Sequence, residues 1–375
     1  MLSLKAIKYA VSTVAFVLAT FNAQANEVVK IGIAGPLTGA EAHLGKDVEY
    51  GARLAIDDLN HQGLVIAGTK VTFELVSEDD QGDPKTAVQV AQRLVDEGVK
   101  GVVGHLSSGP TIAASRIYAS AGIPQVATAA TNPVYTSQGF PTTFRLMATD
   151  RQQGATLGAF AQKLAGKGMV AIIDDRTAYG QGLADEVAKY LDVHHVPVAD
   201  REYTNEKAVE FSSILTKIKG ASPTVIVYGG ADAQAGPMVR RMKTLGINAA
   251  FIGGDAVCTG NWDSLSSGAA EGQYCTEAGA PHSAMPKYGE FQERFQKAYG
   301  KIVAFAPYSY DAVMILAKAM QDANSTDPKV YLHALAKEKY DGITGHIEFT
   351  PNGDNANGTV VVYKMVKGEL TPVTQ

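Results

Sequence analysis

Strand-like and helix-like segments alternate along almost the whole of this 375-residue chain, and that regular alternation restricts what it can build more than any other property. Short β-rich runs at 28–34, 71–77, 101–104 and 124–128 are separated by stretches with apolar residues at helical spacing, such as 48–60 and 84–97. In the latter, Ala87, Val90, Ala91, Leu94 and Val95 share one face. Strand and helix in strict succession predict a parallel sheet covered by helices on both sides. The pattern pauses near Asp150 and restarts, with strands at 169–173, 196–203, 225–228 and 251–253 and helices near 182–191, 211–219 and 237–245. The expected fold class is therefore α/β, as two doubly wound three-layer lobes.

After Cys275 the pattern changes to helices without strands between them, at 287–299, 308–323 and 329–336. They cannot make a third sheet alone and are expected to return over one of the first two units. The Gly- and Asn-rich stretch 351–358 predicts a turn, leading into a strand at 359–366 and a tight turn at Lys367-Gly368.

The first 25 residues are set apart from the fold. Lys5 and Lys8 precede an uncharged apolar run, 9–21, and then the small-x-small site Ala23-Gln24-Ala25, the layout of a cleaved secretory leader. A run of about 13 residues is too short for a spanning helix, which needs about 20. Residue 26 is Asn rather than Cys, so no lipid anchor is indicated. Export is expected, leaving 350 residues, enough for two lobes of roughly 175. The formal net charge is −5, and loss of a leader with two lysines and no acids takes it to −7. Acids outnumber bases 38 to 33, which disfavours nucleic acid as a partner. The only cysteines, Cys258 and Cys275, lie 17 positions apart, and an oxidising compartment favours their pairing; the other reading is two buried thiols.

Enzyme and cofactor motifs do not survive inspection. Gly180-Gln181-Gly182 has Asp185 where a dinucleotide fingerprint needs its third glycine. Gly45-Lys46 is followed by Asp47 instead of Ser or Thr. No serine has the flanking glycines of a nucleophile elbow, and His194-His195 predicts a solvated turn rather than a metal site. No cofactor, metal or catalytic residue is expected.

In open α/β sheets ligands bind beyond the carboxyl ends of strands. There the chain carries Gly104-His105-Leu106-Ser107-Ser108-Gly109-Pro110, where a helix is expected to begin at Pro110, and Ala127-Thr128-Ala129-Ala130-Thr131-Asn132-Pro133. From the second unit come Asp174-Asp175-Arg176-Thr177-Ala178-Tyr179-Gly180 and Gly253-Gly254-Asp255-Ala256. Amide and hydroxyl donors suit a carboxylate, and an acid such as Asp255 suits an ammonium. Together they describe a free amino acid.

Through these and other segments the chain resembles the periplasmic leucine/isoleucine/valine-binding proteins, the type I solute-binding family that delivers amino acids to ABC importers. The similarity runs through Val29-Lys30-Ile31-Gly32 with Gly35-Pro36 and Thr38-Gly39, Gly51-Ala52-Arg53, Asp79-Asp80 with Asp83-Pro84, Gly104-His105, Ala130-Thr131-Asn132-Pro133, Tyr179-Gly180 and Tyr228-Gly229-Gly230. It implies that Ser108 and the Thr131 backbone hold a carboxylate, and that the Ala129 carbonyl, the Thr131 hydroxyl and Asp255 hold an ammonium. Tyr179 should close over the ligand, and Tyr310 should line its side-chain end. The family usually places aromatic rings where Leu44 and Ala231 stand and Glu where Asp255 stands, so the side-chain pocket differs here. A lobe 1 disulfide found in some relatives is ruled out by Gly82 and Ser107. The resemblance implies a type I fold in which residues 26–149 with 279–356 form lobe 1 and 150–278 with 357–375 form lobe 2, joined by three crossings near Thr149, Ala278 and Asn357. It implies a monomer that hands an amino acid, branched-chain or otherwise aliphatic, to permease subunits. The alternative is a sensor domain of the same fold for an amide or 4-aminobutyrate.

Overall fold

The computed structural model describes residues 26–373; the expected leader lies outside the described residues. The chain opens with β1 (Asn26–Gly35), α1 (Ala42–Gln62), β2 (Val65–Ile66), β3 (Thr69–Asp79), α2 (Pro84–Asp96), β4 (Gly101–Gly104), α3 (Ser108–Ala121), β5 (Gln125–Ala127), α4 (Val134–Ser137) and β6 (Thr143–Arg145). These strands form one sheet in the order β2-β3-β1-β4-β5-β6. It is parallel except for β2, a two-residue strand that pairs antiparallel with β3 at its edge.

The second run is α5 (Asp150–Ala165), β7 (Val170–Asp174), α6 (Ala178–Val193), β8 (Val198–Tyr203), α7 (Ser212–Ala221), β9 (Val225–Gly229), α8 (Asp232–Thr244), β10 (Ala250–Gly253), α9 (Trp262–Leu265) and β11 (Tyr274–Glu277). There follow α10 (Tyr288–Tyr299), α11 (Ala306–Asp322), α12 (Pro328–Leu335), the small pair β12 (Lys339–Asp341) and β13 (His346–Glu348), and the hairpin β14 (Val361–Val366) with β15 (Glu369–Pro372). The second sheet runs β15-β14-β11-β10-β9-β7-β8, with only the C-terminal hairpin antiparallel.

Local chemistry sets these elements. Asp83 caps α2 by accepting the Thr86 N–H, and Pro84 stands in the first turn, where a missing N–H costs nothing. Ala87, Val90, Ala91 and Leu94 are then buried on one face. Both main sheets are covered on both sides, which is why β7 and β9 are buried throughout. Helices α11 and α12 return to the first sheet: Val313, Leu316, Met320, Tyr331 and Leu335 share a core with Val29, Ile31, Ala52 and Val103. Gly51 makes this possible, since a Cβ there would lie 2.2 Å from the Ala306 carbonyl oxygen on α11.

The chain passes between the sheets three times. Thr149 caps α5 in a capping box with Gln152. Beside it the Ala148 N–H donates to the Ala278 carbonyl at 3.0 Å, and Gln152 Nε2 donates to the Gly358 carbonyl at 3.1 Å. The three connections thus lie side by side. Helix α5 is not evident from the periodicity, and α3 begins at Ser108 rather than Pro110, because proline is tolerated anywhere in a first turn that has no intrahelical acceptor for its N–H. Cys258 and Cys275 form a disulfide with 5.2 Å between their Cα atoms. It ties the loop after β10 to β11. Among the described residues no helix is long and apolar enough to cross a membrane, and no group of three or more His, Cys, Asp or Glu side chains is placed to hold a metal ion.

Candidate functional site: the cleft between the two sheets

The C-terminal ends of strands from both sheets converge on one cavity of about 570 Å³, within the range of small-molecule sites. From the first unit it is lined by Leu44, Ser107, Ser108, Gly109 and Ala129, and from the second by Asp175, Tyr179, Ala231 and Asp255.

The loop after β4 is held by buried polar groups. His105 is fully buried, with Nδ1 2.6 Å from Asp80 Oδ2 and Nε2 3.1 Å from the Tyr118 hydroxyl oxygen. This sets Ser107 and Ser108 at the start of α3, where the Ser108 and Gly109 N–H groups have no intrahelical acceptor. Ser108 Oγ accepts the Asn132 N–H at 3.3 Å, coupling this loop to the one after β5. The second loop is gripped by Arg145, whose guanidinium is fully buried. It donates to the Ala130 carbonyl at 2.8 Å, the Asn132 carbonyl at 3.0 Å and Thr136 Oγ1 at 3.1 Å, and its charge is met by Asp354 at 2.9 Å. The Ala129 carbonyl on the cavity wall accepts no hydrogen bond from the described residues.

On the opposite wall Tyr179 donates its hydroxyl to Asp255 Oδ1 at 2.7 Å. Asp255 is 3% exposed; burial pushes its carboxyl up to about 6, against the Tyr179 hydrogen bond. A cation beside it would offset the burial and bring its pKa back down.

Six of the expected ligand residues therefore share the cavity: Ser108, Ala129, Tyr179 and Asp255, with Leu44 and Ala231 at the side-chain positions. Thr131 stands behind the wall, fully buried, its carbonyl accepting the Asp150 N–H at 2.8 Å. Its hydroxyl, both Asp150 oxygens and the Gln153 amide have no hydrogen-bond partner among the described residues. Tyr310 does not reach the cleft. It lines a separate 230 Å³ hollow, donates to Asp58 at 2.7 Å and meets Phe291 edge-on. Phe305 lines the cleft instead; a residue five positions further along α11 points about 140° away round the axis.

Sequence reading missed the groups that close the cleft. His43 Nε2, from α1, lies 2.9 and 3.1 Å from the two oxygens of Asp232 at the start of α8, and Asp232 also accepts from Thr259 at 2.5 Å. Burial opposes a charge on His43, but the hydrogen bond and charge of Asp232 outweigh it and hold its pKa above the ordinary value. Asn132 Nδ2 donates to the Ala178 carbonyl at 2.7 Å, and the Gly260 N–H to the Val303 carbonyl at 3.1 Å. Each bond joins the two units. Glu41, also on the cavity wall, is pushed up to about 7 by burial and then by the charge of Asp175. A lone acid or histidine in a loop sequence carries no signal for such pairing.

A sequence model described as periplasmic binding protein matches residues 28–369. The chain belongs to the periplasmic binding protein family. Over 342 residues, 91% of each chain, it is 36% identical to the Leu/Ile/Val-binding protein homolog 1 of Brucella suis biovar 1. Its fold is similar to that of the leucine-binding protein LivK from Thermotoga maritima, with a TM-score of 0.84, 26% identity and coverage of 92% of this chain and 98% of that one. The branched-chain amino acid transporter substrate-binding protein LivJ from Streptococcus pneumoniae, solved with isoleucine, gives a TM-score of 0.83 at 25% identity, covering 93% of this chain and all of that one. In this periplasmic binding protein the paired sheets are the two doubly wound units expected from the alternation, and their arrangement is the type I fold that the resemblance implies.

Proposed function

We propose that this chain is an extracytoplasmic solute-binding protein that captures a free amino acid in its cleft and delivers it to the permease subunits of an ABC importer. The observation that carries this is one cavity with complementary walls: N-terminal N–H groups of α3 and Ser108 for a carboxylate, and the buried Asp255 with the Ala129 carbonyl for an ammonium. The names of its relatives support branched-chain and other aliphatic side chains as ligands. Residues 26–149 with 279–356 act as one lobe and 150–278 with 357–375 as the other, moving about the crossings near Thr149, Ala278 and Asn357. Contacts from both walls coexist only when the cleft is closed, so the ligand shifts the population toward closure by its differential affinity. The protein makes and breaks no bonds, needs no cofactor, binds no nucleic acid and works as a monomer in the periplasm after cleavage behind Ala25.

Titration calorimetry with the twenty amino acids, small amides and 4-aminobutyrate tests this. An amino acid should bind with one-to-one stoichiometry. If no compound bearing both an ammonium and a carboxylate binds, the site assignment fails.

A further inference from the structure

The cleft holds more carboxyl groups than an amino acid's ammonium requires. Five carboxylates line it, Glu41, Asp83, Asp175, Glu206 and Asp255, against two basic side chains, Arg176 and Lys207. Arg176 is turned away, 3.6 Å from Asp174 and stacked 3.9 Å over the Tyr203 ring, while Lys207 is exposed and in no ion pair among the described residues. Glu41 and Asp175 come from opposite walls. Glu41 accepts the Ser107 hydroxyl, at 3.2 Å, and Asp175 accepts the Thr177 N–H and hydroxyl. Neither forms an ion pair among the described residues. The base whose charge acts on Glu41, His43, is engaged by Asp232.

A second, independent observation lies beneath these acids. Tyr228, the penultimate residue of β9, is fully buried and its hydroxyl has no partner among the described residues. The charges acting on that hydroxyl are Asp175 first and then Glu41, Asp174 and Asp232. Gly230 makes room for it, since a Cβ there would lie 2.2 Å from the hydroxyl oxygen. A purely aliphatic ligand would leave the Tyr228 hydroxyl without a partner and the carboxyl groups of Glu41 and Asp175, whose charges act on one another across the cleft, without a counter-charge.

We propose that Glu41 and Asp175, with the Tyr228 hydroxyl behind them, form a second subsite that receives a cationic group at the far end of the ligand's side chain. The ligand set then extends beyond aliphatic amino acids to those ending in an amine or a guanidinium. This rests on the reading of the cleft as an amino-acid site. Placing the positive group between acids from both walls makes it a part of closure as well as of recognition.

Calorimetry on the whole mature protein with leucine, norleucine, ornithine, lysine and arginine separates the second subsite from the amino-acid site itself. The expected result is that at least one cationic amino acid binds as tightly as leucine or tighter. Its affinity relative to leucine should fall tenfold or more in Glu41→Gln and in Asp175→Asn, and should weaken with added salt. If leucine binds while ornithine, lysine and arginine do not, the second subsite is refuted and the amino-acid site stands. The second subsite is equally refuted if a cationic amino acid binds with its affinity relative to leucine unchanged in both variants. If none of the five binds, the second subsite is refuted, and the amino-acid site is decided by the full panel of amino acids, amides and 4-aminobutyrate. The wild-type panel decides even if a variant does not fold.

Discussion

Replacing His43 with alanine tests whether closure is held by the bond it makes across the cleft. Asp232 is fully buried and keeps Thr259 as a donor within its own unit, so the substitution removes the bond that spans the cleft, and with it a smaller charge interaction with Glu41, without leaving Asp232 bare. Hydrogen bonds to a charged group are worth about 1.5–3 kcal/mol. The His43 side chain remains 23% exposed, which places this one at the lower end, about 1.5–2 kcal/mol. Since the bond exists only when the cleft is closed, the ligand has to supply that energy in the variant. Affinity for the tightest-binding amino acid should drop about 10- to 30-fold at pH 6. The pH dependence has a definite sign. The His43 pKa is raised in the closed form, so the bond contributes fully below its ordinary value, near 6.5, and is lost as pH rises through the raised value. Wild type and variant should therefore converge toward pH 9. Calorimetry at pH 6, 7.5 and 9 reads the difference directly. A variant that binds as tightly as wild type at pH 6 would show that the His43–Asp232 pair does not hold the cleft.

Three further outcomes follow from the same geometry. Asp255→Ala should weaken an α-amino acid by about 2 kcal/mol or more, as expected for losing one side of a buried charge pair, and unchanged affinity in calorimetry would move Asp255 out of the site. Burial pushes Asp150 up to about 8, so the native state holds it protonated where the unfolded chain would ionise, and stability falls between about pH 4 and 8 by up to about 1.4 kcal/mol per unit. Urea unfolding of Asp150→Asn at pH 5 and 7.5 should show a shallower decline than wild type; parallel declines would contradict this. Breaking the bridge with Cys258→Ser and Cys275→Ser should cost about 3 kcal/mol in the chain-entropy account of a loop this size. A wild-type unfolding midpoint indifferent to reductant would count against the bridge.

The parts of the fold visible in the residue pattern are those governed by local periodicity. Strands β4, β7 and β9 follow from burial on both sides of a sheet, β1, β3 and the apolar face of α2 from their apolar spacing, and the strand ends lead to Ser108, Ala129, Tyr179 and Asp255. What is not visible depends on partners far away in the chain. Arg145 finds Asp354 at a separation of 209 residues, and His43 finds Asp232 at 189. A charged residue that will be buried looks like a solvated one until its partner is placed. Tyr310 illustrates the opposite error: its assignment comes through likeness, but its place on α11 directs it to Asp58 on α1.

The return of α11 and α12 to the first sheet also determines when each half can finish folding. The core around Val29, Ile31 and Val103 is completed by Phe305, Val313, Leu316 and Tyr331, so the leading half of the chain stays open until some three hundred residues have been made. The second core, apart from its last two strands, draws on residues between Leu157 and Cys275 and can settle first. Since domains complete as units during synthesis, the unit built on β1 becomes compact only once α11 and α12 have been made.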